Sequence, residues 1–485
     1  MTFILASLYL LLFINTLAAL ITVFRKPRSI QSVLAWMIAL TLLPGIGFLL
    51  YAFCGRGIDQ ESILNLTPED ISDIETIEMK VETDSLAYSG WIIPPLDSNA
   101  QKLVRYLDKT QQSPFAQGND VKLFTDGQEK FAQLLKDIAA AKETIHIEYY
   151  SFYNDTLGNR VLHALEERAR AGVKVRLIYD PWGSKKATKK WFAPLKNLGG
   201  EVAPFVTSKN VLLKTRLNYH LHRKIVVIDG LLAWTGGFNI ADQYVGENPK
   251  FGYWRDSHAR FVGPVAFTLQ EIFIRDWNAS CQKKEVIHYE DKFFQGAPTA
   301  LRGSHSIQVV ADGPESPEDI LKGAMIRMIN DAEKRVWIQT PYLIPDDSMM
   351  ATLMIAARSD IDVRIMIPCM PDHPFIYRAT QYYANILTKQ GVKVYIYNNG
   401  FLHAKTSLVD DNLCSIGSMN QDIRSYSLNF EAQAFLYSRE LNLKFEEIFI
   451  KDLEHCTLLT EEMIANQSRW LRFKQNFSRL LSPIL

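Results

Sequence analysis

His222, Arg223 and Lys224 are followed after four residues by Asp229, and after six more by Gly236-Gly237-Phe238-Asn239. The arrangement returns with the same spacers as His403, Ala404 and Lys405, then Asp410, then Gly417-Ser418-Met419-Asn420. Imidazole beside ammonium is equipment for phosphodiester chemistry. A histidine with a reference pKa of about 6.5 serves as nucleophile, base or acid near neutrality, and a lysine stabilises charge on a non-bridging oxygen. In a strand, residues i and i+2 share a face, so the histidine and lysine of each copy are expected to converge on one side. The glycine-containing turn lets backbone approach closely, and Asn239 and Asn420 are placed to donate to a phosphate oxygen. A lone histidine on an apolar strand is more often satisfied core than catalyst; two copies at matching places reverse that balance. Asp229 and Asp410 complete each motif, either in the chemistry or as turn-fixing partners at a strand end.

Two such motifs need a scaffold that brings them together, and the chain repeats one. From Val121 onward, short β-branched runs alternate with amphipathic stretches, the signature of an α/β domain. The order reads strand Val121–Phe124, helix Gln128–Ala141, strand Thr144–Ser151, helix Leu157–Ala171, strand Val173–Tyr179. Thr125-Asp126-Gly127 is answered by Ala311-Asp312-Gly313, and Lys174-Val175-Arg176 by Asp362-Val363-Arg364, at offsets that drift only by loop-sized amounts. Halves packed about a pseudo-twofold would set two histidines across one phosphate, one attacking phosphorus while the other protonates the departing alkoxide. No metal or cofactor is required by this scheme.

Ahead of the repeat, Phe3 to Phe24 carries no charged residue, and Ile30 to Gly55 is a second uncharged run after Arg25, Lys26 and Arg28. About 22 helical residues reach roughly the ~30 Å of a hydrocarbon core, so two membrane segments are expected. A signal peptide fits less well, since no basic stretch precedes the first run. The membrane side of the remaining chain stays open. The sequence thus divides into 1–56, two membrane segments; 57–118, an acidic connector, partly helical at most; 119–300, the first repeat; and 301–485, the second. The tail from Arg469 mixes aromatic and basic residues, which suits either a helix in the headgroup layer or one packed on its own domain. Lysine plus arginine (53) equals aspartate plus glutamate (53), which argues against nucleic acid as the partner. Five scattered cysteines form neither a disulfide framework nor a zinc motif.

The twin motifs resemble those of the phospholipase D superfamily, and with the paired apolar segments the whole chain resembles the bacterial cardiolipin synthases. The resemblance includes Trp36, Pro44-Gly45, Trp254-Arg255-Asp256, Thr340-Pro341-Tyr342 and the run from Asp422 to Glu431. It implies duplicated phospholipase D-type domains and a multi-pass protein of the bacterial cell membrane, with phosphatidylglycerol as both donor and acceptor. The implied reaction gives cardiolipin and glycerol through a phosphatidyl-histidine. It further implies catalytic roles for His222, Lys224, Asp229, His403, Lys405 and Asp410, with His222 the nucleophile and His403 the acid. Downstream carboxylates, Asp256 in the first half and Glu431 in the second, would orient the imidazoles. One departure stands out: Gly237 occupies the place where many relatives, and Ser418 here, carry serine, so the first half lacks a hydroxyl for the phosphate.

Rival readings remain open at this point. A hydrolase would pass the phosphatidyl group to water and release phosphatidic acid. A phosphatidylserine synthase would use serine and a nucleotide-activated lipid, a nuclease should show a basic groove, and a lipid-binding scaffold should have lost a histidine.

Overall fold

The structure, a computed structural model, describes residues 68–88, 96–111, 113–184, 186–205, 219–281, 285–294, 303–316 and 318–482, together with parts of 9–23, 30–42 and 46–51. The first repeat contains β1 (Ala116–Phe124), β2 (Thr144–Tyr149), β3 (Lys174–Tyr179), β4 (Glu201–Pro204), β5 (Lys224–Ile228), β6 (Leu232–Gly236), β7 (Trp254–Arg255) and β8 (His258–Val262). The second contains β9 (His305–Asp312), β10 (Arg335–Gln339), β11 (Leu343–Ile344), β12 (Asp362–Pro368), β13 (Lys393–Tyr397), β14 (Phe401–Leu402), β15 (Thr406–Val409), β16 (Leu413–Gly417), β17 (Gln421–Asp422), β18 (Glu431–Tyr437) and β19 (Cys456–Leu458).

Among the described residues, 15 of these strands form one sheet in the order β19-β13-β12-β10-β15-β16-β18-β9-β1-β8-β6-β5-β2-β3-β4. Read outward from the β9–β1 junction, the two halves run in the same order: β1, β8, β6, β5, β2, β3, β4 against β9, β18, β16, β15, β10, β12, β13. The duplicated α/β architecture is therefore a pseudo-twofold about an antiparallel β1–β9 pairing, in which Asn119 faces His305. β5 is buried at every position, as a central strand covered on both faces should be. One core cluster crosses the junction, including Ile225, Val227 and Phe261 of the first half and Leu408, Ile416 and Ala434 of the second.

Helix starts carry their own signals. Asp126 accepts from the N–H groups of Gln128 and Glu129 to cap Gly127–Ala140, and Asp155, Asp346 and Ser438 cap later helices in the same way. Within the stretch 57–118, the described residues are mostly helix and strand. Pro68–Tyr88 and Ser98–Gln111 are helices, and β1 already begins at Ala116. Ile77 anchors the first helix in the core of the first half, while Ala100, Leu103 and Leu107, at helical spacing, lay the second against the core of the second half.

Nearer the N-terminus, residues of both apolar runs are helical where described, including Ile30–Leu42. Among the described residues no helix is long and apolar enough to cross a membrane. The Arg25-Lys26-Arg28 loop and Pro44-Gly45 lie outside the described residues. Val23, Leu40 and Tyr51 pack together, with Trp36 edge-on to Tyr51 at 5.3 Å, so the two runs touch.

Candidate active site

The two histidines sit just ahead of central strands, in extended lead-ins to β5 and β15 rather than within them. Each lead-in is clamped to the other half. Leu221 bridges Phe430, and the His222 N–H donates to the Phe430 carbonyl at 2.8 Å. Symmetrically, β14 pairs with β7, and the His403 N–H donates to the Arg255 carbonyl at 2.7 Å. The residues that follow these clamps are Glu431 and Asp256, so each imidazole meets the carboxylate of the opposite half. His222 Nδ1 lies 2.8 and 2.9 Å from the two Glu431 oxygens, and His403 Nδ1 lies 2.6 Å from Asp256 Oδ2. These contacts span 209 and 147 residues of chain. With Nδ1 engaged, Nε2 of each ring is the nitrogen left for a substrate.

Each lysine turns back on its histidine: Lys224 Nζ donates to the His222 carbonyl, and Lys405 Nζ to that of His403 at 2.5 Å. Both motifs share one electrostatic environment, because Lys405 acts on His222 and Lys224 on His403. Burial first, then the adjoining lysines, push both imidazoles down to about 4 against the opposing pull of Glu431 and Asp256. Burial also brings Lys224 down to about 7 and Lys405 to about 8, although Glu431 and Asp256 favour their charged forms. Burial alone would raise the two carboxyls, but His222 beside Glu431, and His403 and Lys405 beside Asp256, hold both below the usual range. The site is thus a buried cluster of two lysines, two ionised carboxylates and two neutral imidazoles, in which the carboxylates are taken up at Nδ1 of the rings and the lysines stand beside the histidines.

The remaining members of the motifs are placed as follows. Asp229 and Asp410 stand at the far ends of β5 and β15, seven residues and roughly 20 Å down the chain from the histidines. Both have positive φ, 53° and 49°. The Asp229 carboxylate accepts from the N–H groups of Lys142, Glu143 and Thr144 at 2.8–2.9 Å, and Asp410 accepts likewise from Glu333, Lys334 and Arg335. The structure therefore assigns them to the backbone of the turns before β2 and β10, not to the phosphate site.

Asn239 accepts from the Ser151 N–H and donates to the Tyr244 hydroxyl, and Asn420 donates to the Ser425 hydroxyl. Each amide has a second N–H to offer. Ser418 is committed elsewhere: it donates to Glu431 at 2.5 Å and accepts from the Ala432 N–H at 3.0 Å, behind the imidazole rather than toward a phosphate. The departure at Gly237 has a steric cause, since a Cβ there would run into the Asp256 carboxylate. The first half lacks the hydroxyl because its shorter carboxylate occupies that space; the Ser257 N–H supports Asp256 instead, at 2.7 Å.

Two buried arginines stand in the motifs without a role assigned from sequence. Arg223 reaches Asp276 of the helix Val265–Ser280 at 2.5 Å and donates to the Glu431 carbonyl at 3.0 Å. Arg255 reaches Asp452 of the helix Arg439–Leu453 at 2.7 Å. Each clamp thus carries one arginine, from the histidine strand in one case and the carboxylate strand in the other. Their adjacency to His222 and Asp256 was the available signal.

A family model described as "Cardiolipin synthase, PLD-like domain" matches residues 134–277 and 325–453, and a phospholipase D-nuclease N-terminal model matches 14–56. A cardiolipin synthase of Listeria welshimeri is 42% identical over 99% of this chain and 98% of its own. One from Staphylococcus aureus strain Mu50 is 40% identical over 99% and 97%. Among solved structures, a phosphatidylserine synthase of Haemophilus influenzae superposes with a TM-score of 0.60 at 14% identity, covering 79% of this chain and 100% of that one, a likeness of fold.

Proposed function

The chain belongs to the cardiolipin synthase family of phospholipase D-like proteins, and from that premise we propose how its paired-histidine site works. It is a phosphatidyltransferase that moves a phosphatidyl group from one phosphatidylglycerol to the terminal hydroxyl of another, giving cardiolipin and glycerol. The observation that carries the reading is the crossed pairing of His222 with Glu431 and His403 with Asp256 around two buried lysines.

The anionic phosphodiester enters between Lys224 and Lys405, whose ammonium groups take its non-bridging oxygens, helped by the spare N–H groups of Asn239 and Asn420. That negative charge favours protonated forms nearby, so His403 takes up a proton on binding. Neutral His222 attacks phosphorus through Nε2, and the bond to the departing glycerol oxygen breaks. His403 delivers its proton to that oxygen, and glycerol leaves. The second phosphatidylglycerol then gives its hydroxyl proton to His403, and its oxygen attacks phosphorus as the P–N bond breaks. Glu431 and Asp256 hold the rings in place and support the imidazolium each forms in turn. One phosphodiester replaces another, so the exchange needs no external energy source.

Membrane attachment through the two N-terminal runs belongs to the same reading. Leu10, Phe13, Leu34 and Leu42 are exposed, while the faces bearing Val23 and Leu40 meet each other. Apolar surface of this extent fits a hairpin set in a bilayer as two spans.

The test is to supply detergent-purified protein with phosphatidylglycerol labelled in the headgroup glycerol. Equal amounts of cardiolipin and free glycerol, abolished in His222→Ala and His403→Ala, are expected. Phosphatidic acid in place of cardiolipin would make the protein a hydrolase.

A further inference from the structure

The helix Arg469–Leu480 packs on the helix Pro374–Thr388 with its polar side. Gln475 and Ser478, at i and i+3, are buried, and Asn385 donates to Gln475 at 3.2 Å. The opposite side carries Trp470, Phe473, Phe477 and Leu480, also at helical spacing, and these are 63%, 57%, 47% and 72% exposed. This inverts the usual arrangement, in which the apolar stripe faces the core. The row is ordered: Trp470 stacks on Phe473 at 5.3 Å, Phe473 on Phe477 at 6.4 Å, and Phe477 meets the 52% exposed Phe375 at 6.5 Å. Phe375 opens the 374–388 helix three residues after Asp372, whose carboxylate receives the Tyr342 hydroxyl and acts on Lys405. The aromatic row thus runs toward the rim of the site in the second half.

We propose that this row is a membrane-docking surface that sets the catalytic halves onto anionic lipid. Charge complementarity selects the occupant. The helix carries four basic side chains and no acidic one, with Lys474 over the Trp470 ring at 5.3 Å and Arg469 exposed one residue from it. Aromatic rings between basic residues match the layer where acyl chains meet anionic headgroups. The proposal rests on the reading of the substrate as an anionic membrane lipid: a surface that ends near the site would hold its rim at the depth where the scissile phosphate lies.

The test uses the full-length protein reconstituted in phosphatidylglycerol–phosphatidylcholine vesicles, with and without bromine on the acyl chains. Bromine quenches indoles that enter the bilayer, and Trp470→Phe removes the probe while leaving an aromatic in place. An increment of quenching present in the wild type and absent from Trp470→Phe is expected; equal quenching would overturn the proposal. The double variant Phe473→Gln/Phe477→Gln should lose that increment and turn over vesicle substrate roughly tenfold more slowly, while keeping its rate on substrate in detergent micelles. A parallel loss in micelles would overturn the docking role. So would an absent increment accompanied by dissociation of a dimer on substitution, which would give the surface to a second copy of the chain. Quenching needs no turnover, so an intact increment in a protein that makes no cardiolipin would count against the proposed reaction alone.

Discussion

Lys224 and Lys405 set the protonation of the site. Near pH 7 both imidazoles, held down at about 4, are neutral, and Lys224, at about 7, is only partly charged. A bound phosphodiester anion raises all of these pKa values, so the complex binds more protons than the free protein. The sign follows by linkage: affinity weakens as pH rises above about 4, because His403 must then gain its proton on binding, and weakens further above about 7, where Lys224 must do the same. Titration calorimetry of a non-cleavable phosphonate analogue in buffers of different ionisation enthalpy should show net proton uptake at pH 7; no uptake would contradict the protonation scheme. The neighbouring carboxylates are equally specific. Ser418→Ala removes a hydrogen bond to charged Glu431, and a loss of about 1.5–3 kcal/mol, or roughly 10- to 160-fold in kcat, is expected with the fold kept. Asp229→Ala should show the reverse pattern, with Tm lowered by loss of its three backbone contacts and kcat of the folded protein little changed. At this scale the sequence was legible where chemistry was duplicated: His222, Lys224, His403 and Lys405 announce themselves by appearing twice. The partners of those histidines were legible as identities but not as pairs, because a contact across 209 residues leaves no local spacing to read.

The strand–helix alternation of the repeat could be read from sequence because β-branched runs, Asp caps and amphipathic helices each follow short-range rules. The elements that were missed lack such rules. Pro68–Tyr88 looks like a solvated connector because acidic side chains dominate it, yet Ile77 enters the core and Lys80 lies over the Phe267 ring at 5.8 Å. The two clamps were hidden for another reason: Leu221–Phe430 and β7–β14 are contacts of one or two residues, too short for any periodicity. Their arginines tie them to the helices behind. Arg223→Met should cost about 3–5 kcal/mol by leaving Asp276 buried without its partner, and adding Asp276→Leu should restore most of that stability. Thermal unfolding of the two singles and the double would measure it; a double variant as unstable as the sum of the singles would show that the pair is not the fastening.

On the scale of the whole molecule, the duplication makes a site that neither half contains. Each half brings one histidine and the carboxylate that orients the other, and one core cluster runs through the β1–β9 junction. The halves expressed separately should therefore be inactive, and activity should return only when both are present together. A division of labour between the histidines is the central claim, and an activated donor exposes it. With phosphatidyl-p-nitrophenol the first step needs little acid help, whereas the second still needs a base to deprotonate the acceptor. His403→Ala mixed with this donor and phosphatidylglycerol should release one equivalent of p-nitrophenol in a burst and stop, with mass spectrometry of the quenched protein finding the phosphatidyl group on His222, and His222→Ala should show no burst. A burst from His222→Ala, or an adduct on His403 in the wild type, would contradict the account.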